Sequence, residues 1–314
     1  MTVTTVFCSP FMTSLYYLPV GTYLDNESGS DAERENMHNL YYRLLGSDEV
    51  YATYEKMCND YNAKILELHP EQKAPFYAHP YSYVYSLASF FFTQFSYNTA
   101  KERALNIPSA TADSTVILDY IYFRAELEKN GLWRYNSPMA PAEDKEDYYW
   151  KGDDTYPYYI QTAKQLGQFT YDFSRYESLL GGPLPVNDNP SGLFEQDTWL
   201  YSTYDNTKMK DIRENFIPNT DRPILFYYAQ GDPWTGARPD KINKEKSMLL
   251  IGQRGVHNQD LNNPEHFSAE DKQQIMDFLA RYVDYANATT ARRRSQSGNL
   301  PTAPIAPDDF IIRR

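Results

Sequence analysis

Cysteine is nearly absent from this chain of 314 residues: Cys8 and Cys58 are the only two. Neither sits in C-x-x-C or any metal-ligand spacing, which excludes a cysteine-built metal site and leaves a single pairing between them open. Basic clusters are scarce as well. The formal net charge is −12, and Arg292-Arg293-Arg294 is the one basic cluster of three or more. That balance excludes a nucleic-acid partner, because such affinity rests on Lys and Arg neutralising phosphates. An acidic surface serves solubility, and it also suits a cationic ligand such as the free amino terminus of a peptide. No stretch approaches the roughly 20 apolar residues of a membrane span. Met1-Thr2-Val3 opens directly into a strand-like run without the architecture of a signal peptide. Also missing is a G-x-S-x-G turn, the motif that exposes a nucleophilic serine between a strand and a helix. Ser28-Gly29-Ser30 and Ser295-Gln296-Ser297-Gly298 lack its spacing and a preceding strand. There are no internal repeats.

What is abundant is aromatic. Aromatic residues make up 16% of the chain and apolar ones 41%, with 29 tyrosines. That supports a sizeable core in one large domain or two. So many tyrosines among Asn and Asp give a polar-aromatic surface, which points to a secreted protein or one of the periplasm or cell envelope.

The stretch from Arg222 to Phe267 is the one with chemical meaning. Pro223-Ile224-Leu225-Phe226-Tyr227-Tyr228-Ala229 and Ser247-Met248-Leu249-Leu250-Ile251 are short apolar runs bounded by Pro or Gly, as buried strands are. Each delivers one ionisable residue just past its C-terminal end, Asp232 after the first and His257 after the second. In open α/β sheets, chemistry sits outside the carboxyl ends of the strands. An acid followed by a histidine on consecutive strand ends matches the last two members of an α/β-hydrolase triad in chain order.

Tyr228-Ala229-Gln230-Gly231-Asp232-Pro233-Trp234-Thr235-Gly236, followed by Gly255-Val256-His257, resembles the C-terminal part of the prolyl tripeptidyl aminopeptidases. These are serine peptidases of α/β-hydrolase fold. Their pattern is an aromatic-rich strand ending in G-x-x-D-P-W-T, then a second strand and a Gly-Gly-x-His turn. Val3 to Pro10 resembles the strand after the nucleophile helix, and Val20-Gly21-Thr22 the short motif that follows it. The resemblance spans nearly the whole chain, and Asp-Pro-Trp-Thr is its sharp part. It implies an α/β fold class: the C-terminal part of an α/β-hydrolase sheet with a large helical cap insertion. It implies further that the nucleophile and the first strands lie upstream of Met1, so that this chain alone is inactive. No metal or organic cofactor is implied.

Along the chain, residues 1–25 hold a sheet strand and the start of the cap, 26–215 the helical cap, 216–286 the C-terminal strands and helix, and 287–314 an irregular tail. Within the cap, Met37, Leu40, Tyr41 and Leu44 have helical spacing and stop at Gly46, and Val50 to Ile65 repeats the pattern. Tyr83 to Phe95 predicts a buried helix. Helices are also predicted over Thr115–Lys129 and Tyr158–Leu180, with a loop over 134–157. Ser268-Ala269-Glu270-Asp271 has the look of a capping box and starts the last helix. If strands over 2–10, 223–229 and 247–251 belong to a sheet without its first members, one edge is open. Val3, Val6 and Phe7 are then expected to be exposed, or covered by a second copy, making the edge a route to self-association.

Five residues are candidates for the site. Asp232 is the acid that fixes the imidazole tautomer; its ordinary alternative is a turn aspartate before Pro233. His257 is the base, since it follows a strand and a glycine, whereas the competitor His266 lies beside a helix start. His38, His69 and His79 fall in the cap as helix-face or turn residues. By the resemblance, Trp234 buttresses the acid loop, a core tryptophan being its ordinary alternative, and Gln94 and Gln165 fall where cap groups hold the amino terminus of the substrate. An acid often stands where Gln165 does, beside Lys164 and before Leu-Gly, so amine recognition departs from the pattern here; a helix-face role is the alternative for both glutamines. The function implied is the acid/base half and cap of a serine aminopeptidase releasing short peptides, tripeptides among them, from free N-termini. The alternatives are a nucleophile-less relative that binds peptide or glycan, and an esterase or lipase.

Overall fold

A computed structural model of the chain describes residues 6–7, 17–18, 20–68, 70, 80–124, 165, 168–169, 171, 173–180, 205–257, 259–260 and 262–296. At its centre is a parallel sheet of three strands, β1 (Val6–Phe7), β4 (Leu225–Ala229) and β5 (Met248–Gly252), in the order β1-β4-β5. Leu225 pairs with Met248 and Ala229 with Gly252, while Val6 pairs with Leu225. All five residues of β4 are buried, as expected of a central parallel strand covered on both faces.

Alternation along β4 divides those residues between two cores. Leu225 and Tyr227 pack with Phe267, Ile275 and Phe278, the last two from the long final helix α8 (Ala269–Gln296). Phe226 and Tyr228 pack on the other side with Ile217 and Ile224. Ile217 belongs to α7, which begins at Thr207–Asp211 and continues through a π-helical stretch, Ile212–Phe216, to a last turn, Ile217–Asn219.

Between β1 and β4 lies a mostly helical layer: α1 (Val20–Asn26), α2 (Asp31–Leu45), α3 (Asp48–Leu68), α4 (Pro80–Tyr97), α5 (Ala100–Asn106) and α6 (Ser114–Leu118), which runs on as a π-helical stretch, Asp119–Arg124. Ser30 opens α2 with a full capping box to Glu33, and Thr99 opens α5 the same way with Glu102. The core of this layer is aromatic. Tyr54, Tyr83 and Tyr122 meet ring to ring, Tyr83 Oη donates to Leu44 O at 2.8 Å, and Tyr122 Oη donates to Tyr83 O at 2.6 Å. Tyrosine can fill a core when its hydroxyl finds a carbonyl, as these two do. Cys58 is a free, buried thiol, pushed up to about 11 by burial.

The structure departs from the sequence reading in two places. Within Tyr158–Leu180, the described residues hold a short strand, β3 (Gln168–Phe169), paired in parallel with β2 (Tyr17–Leu18), and a 3-10 turn, Ser174–Tyr176. Pairing with β2 and the aromatic run after Gly167 favour extended chain over a continuous helix. The last helix runs to Gln296 rather than ending at 286. Ala286, Ala288, Ala291 and the three arginines are good helix formers, and they outweigh the Thr and Asn between them. The predicted loop over 134–157, Val3, His69 and His79 lie outside the described residues, and the structure describes the backbone of Val6 and Phe7 but not their exposure. Among the described residues, no helix is long and apolar enough to cross a membrane.

Candidate active site

The loop that follows β4 is shaped by its own short-range bonds. Gln230 N donates to Gly252 O at 2.8 Å, which carries the ladder one step beyond the strand. Asp232 then caps the 3-10 turn Pro233–Ala237: its Oδ1 accepts from Trp234 N at 3.2 Å, with Pro233 in the first position where no N–H is needed. Thr235 Oγ1 donates back to Ala229 O at 2.5 Å and closes the loop on the strand. Asp232 Oδ2 is thereby left pointing at the end of β5.

That end is turned by Gly255, whose φ of +107° is open to glycine and strained for any other residue. Two residues later, His257 Nδ1 lies 2.9 Å from Asp232 Oδ2. With an acceptor-only carboxylate opposite, Nδ1 donates and Nε2 carries the lone pair. His257 N also donates to Ser96 O at 2.6 Å, at the C-terminal end of α4. The imidazole stands between Trp234, with ring centroids 6.0 Å apart, and Tyr97, edge-on at 5.7 Å. Trp234 meets Phe92 edge-on at 5.5 Å. Asp232 is buried, while His257 keeps 23% of its side chain exposed. One imidazole nitrogen is thus held in the protein, and the ring retains access to solvent.

Burial pushes the Asp232 carboxyl above its ordinary value; the His257 hydrogen bond and charge, the Trp234 amide and the Ser96 hydroxyl pull the other way. The surroundings of the loop are fixed from α1, α2 and α5. Gln230 Nε2 donates to Glu27 O and Gly29 O, each at 2.6 Å, and Tyr23 Oη donates to Gln230 O at 3.4 Å. Burial raises the Tyr23 hydroxyl to about 12, against the nearby Arg238 cation and with help from Glu27 and Asp232. Arg103 lies against Gly231 so closely that a Cβ there would sit 2.9 Å from Nη1. Its Nε donates to Glu33 Oε1 and its Nη1 to Asn98 O, both at 2.7 Å.

The structure therefore brings Asp232, His257 and Trp234 together. His266 is turned elsewhere, its Nδ1 accepting from Asp260 N at 3.0 Å. His38 joins Tyr176 Oη and Asp25 O within the helical layer. Gln94 makes its side-chain hydrogen bond away from the pair. Gln94 lies away from the face shared by Phe92 and Ser96, and its Oε1 accepts from Asn98 Nδ2 at 2.9 Å. Gln165 is half-buried, with both sequence neighbours outside the described residues. Sequence reasoning missed Ser96 and Tyr97. The available signal was a serine on the same helical stripe as Ala88 and Phe92, where an apolar residue is ordinary.

Chemically, the arrangement offers an imidazole base on an anionic anchor. Among the described residues, Nε2 makes no hydrogen bond and no group of His, Cys, Asp and Glu is placed to hold a metal ion. Compared with known proteins, the chain matches no family model, no curated protein and no solved structure.

Proposed function

We propose that this chain supplies the acid–histidine pair and helical cap of a serine aminopeptidase of α/β-hydrolase type, acting on the free N-termini of short peptides. The observation that carries the proposal is the 2.9 Å contact between His257 Nδ1 and the buried Asp232, delivered by the ends of adjacent parallel strands. Acid before histidine on successive strands is the α/β-hydrolase order. The peptidase part rests on the Gly231-Asp232-Pro233-Trp234-Thr235 resemblance, and the tripeptide length on the same ground. In the reaction, a serine from outside these residues attacks the scissile carbonyl. His257 Nε2 takes its proton and hands it to the leaving amine, while Asp232 holds the tautomer and stabilises the imidazolium.

The test compares the 314-residue chain with the product read in frame from codons upstream of it, on tripeptide amides and short acyl esters. The longer product is expected to cleave the amides, with His257→Ala lowering the rate by about four to six orders of magnitude. Amide turnover by the 314-residue chain itself, abolished by His257→Ala, would refute an external serine. Ester turnover alone would reassign the site to an esterase. The lack of a G-x-S-x-G turn favours one further reading, a hydrolase relative that binds peptide; peptide binding without turnover by either product would establish it.

A further inference from the structure

We propose that Ser96 is a positioning residue of the acid–histidine pair: its hydroxyl donates to the Asp232 carboxylate while its carbonyl holds the His257 backbone. The inference rests on the reading of Asp232 and His257 as a working pair. Three observations converge on it. The carbonyl of Ser96 accepts from His257 N at 2.6 Å, so this residue is already fastened to the base. Its side chain is fully buried, and Oγ makes no hydrogen bond within ordinary limits of distance and angle. A serine inside a helix commonly bonds the carbonyl four residues back, and this one does not.

A buried hydroxyl without a partner costs about 1–3 kcal/mol, so its retention here calls for an acceptor. Asp232 is the acceptor available. Among the hydrogen bonds formed within those limits, its Oδ1 takes one donor and its Oδ2 another, whereas a carboxylate accommodates about four. The Ser96 hydroxyl favours the charged form of Asp232, opposing burial, without a hydrogen bond formed within those limits. In the proposed arrangement the hydroxyl turns to donate to the carboxylate, as polar contacts at catalytic sites commonly tighten when the site is engaged. α4 then does more than roof the site: its last turn fixes the acid through a side chain and the base through a carbonyl.

The proposal separates from a plain packing role by stability and spectroscopy, neither of which needs turnover. Ser96→Ala, Asp232→Asn and the double variant are unfolded in urea at pH 7, and the His257 Nδ1 proton is followed at low field in the nitrogen-15-labelled protein. If Ser96 donates to the carboxylate, Ser96→Ala lowers the folding equilibrium constant about tenfold, has a smaller effect beside Asp232→Asn, and moves the low-field proton. Ser96→Thr, which keeps the hydroxyl, returns the signal to its place. A neutral or stabilising Ser96→Ala, an equal loss in both backgrounds, or an unmoved signal would overturn the assignment. If the wild-type protein shows no low-field signal that His257→Ala removes, the pair reading itself falls and takes the Ser96 assignment with it.

Discussion

Arg103→Met is the perturbation that best tests how the helical layer grips the acid loop. Arg103 has 4% of its side chain exposed and Glu33 has 19%. The guanidinium bonds Glu33 and Asn98 O, lies 4.8 Å over Phe95 and touches Gly231. Methionine fills much of that volume without a charge, so the substitution leaves Glu33 in place without its cation. Removing one partner of a buried ion pair costs about 3–5 kcal/mol. Glu33 keeps its hydrogen bonds from Ser30 and some solvent, which reduces the expected loss to about 2–3 kcal/mol. Adding Glu33→Gln, which preserves the capping box, should return about 1 kcal/mol or more of it.

The loss should also depend on pH. Burial alone would raise the Glu33 carboxyl, but the hydrogen bonds from Arg103 and Ser30 and the Arg103 charge outweigh it and hold the group below its ordinary 4.5. A depressed folded value means stability that is present above 4.5 and lost as pH falls through that lower value. Wild type and Arg103→Met should differ most near neutrality and converge in acid. Urea unfolding at pH 7 and pH 3, followed by fluorescence and circular dichroism, measures both. A loss under about 1 kcal/mol, or a double variant no more stable than the single, would refute the linchpin role of the pair.

Gly252→Ala should destabilise by about 1–3 kcal/mol, because a Cβ there would run into the hydroxyl of the buried Tyr227; adding Tyr227→Phe should recover part of the loss in the same urea assay. Gly255→Ala imposes a side chain on a φ of +107° and sets its Cβ 2.9 Å from His266 O, a cost of about 1–3 kcal/mol, and the His257 low-field signal should shift or vanish. Asp232→Asn should raise the urea midpoint at pH 7. Burial lifts the Asp232 carboxyl above its ordinary 3.8, so its charge weighs on the folded state once pH has risen through that lifted value and not below 3.8. The gain should therefore vanish at pH 3, and a less stable Asn variant at pH 7 would show that the charged pair is net stabilising.

Much of the local structure was legible in the chain itself. The spacing of Met37, Leu40, Tyr41 and Leu44 marks α2, and the closely set aliphatic and aromatic runs mark β4 and β5. Those signals are local: a 3.6-residue period or a short apolar run is decided by neighbours in sequence. Asp232 and His257 stood out for the same reason, each being a candidate acid or base a few residues beyond a strand. β3 and the far end of α8 were illegible because pairing with a distant strand decides the first, and a sum of modest propensities decides the second.

What only the tertiary structure decided is which distant residues meet the pair. The sequence by itself determined that an acid and a histidine follow consecutive strands, since strand ends and turn residues are written in the chain. It did not determine that the last turn of α4 lies against them. Ser96 reads as an ordinary helix serine until its carbonyl is found 2.6 Å from His257 N. Arg103 reads as a surface cation until burial and the missing side chain of Gly231 let it press on the acid loop. Gln94, two residues before Ser96 on the same helix, was the one the sequence singled out, and it faces elsewhere. Helix periodicity says which residues share a face, but only the packing of helix on loop says what that face meets.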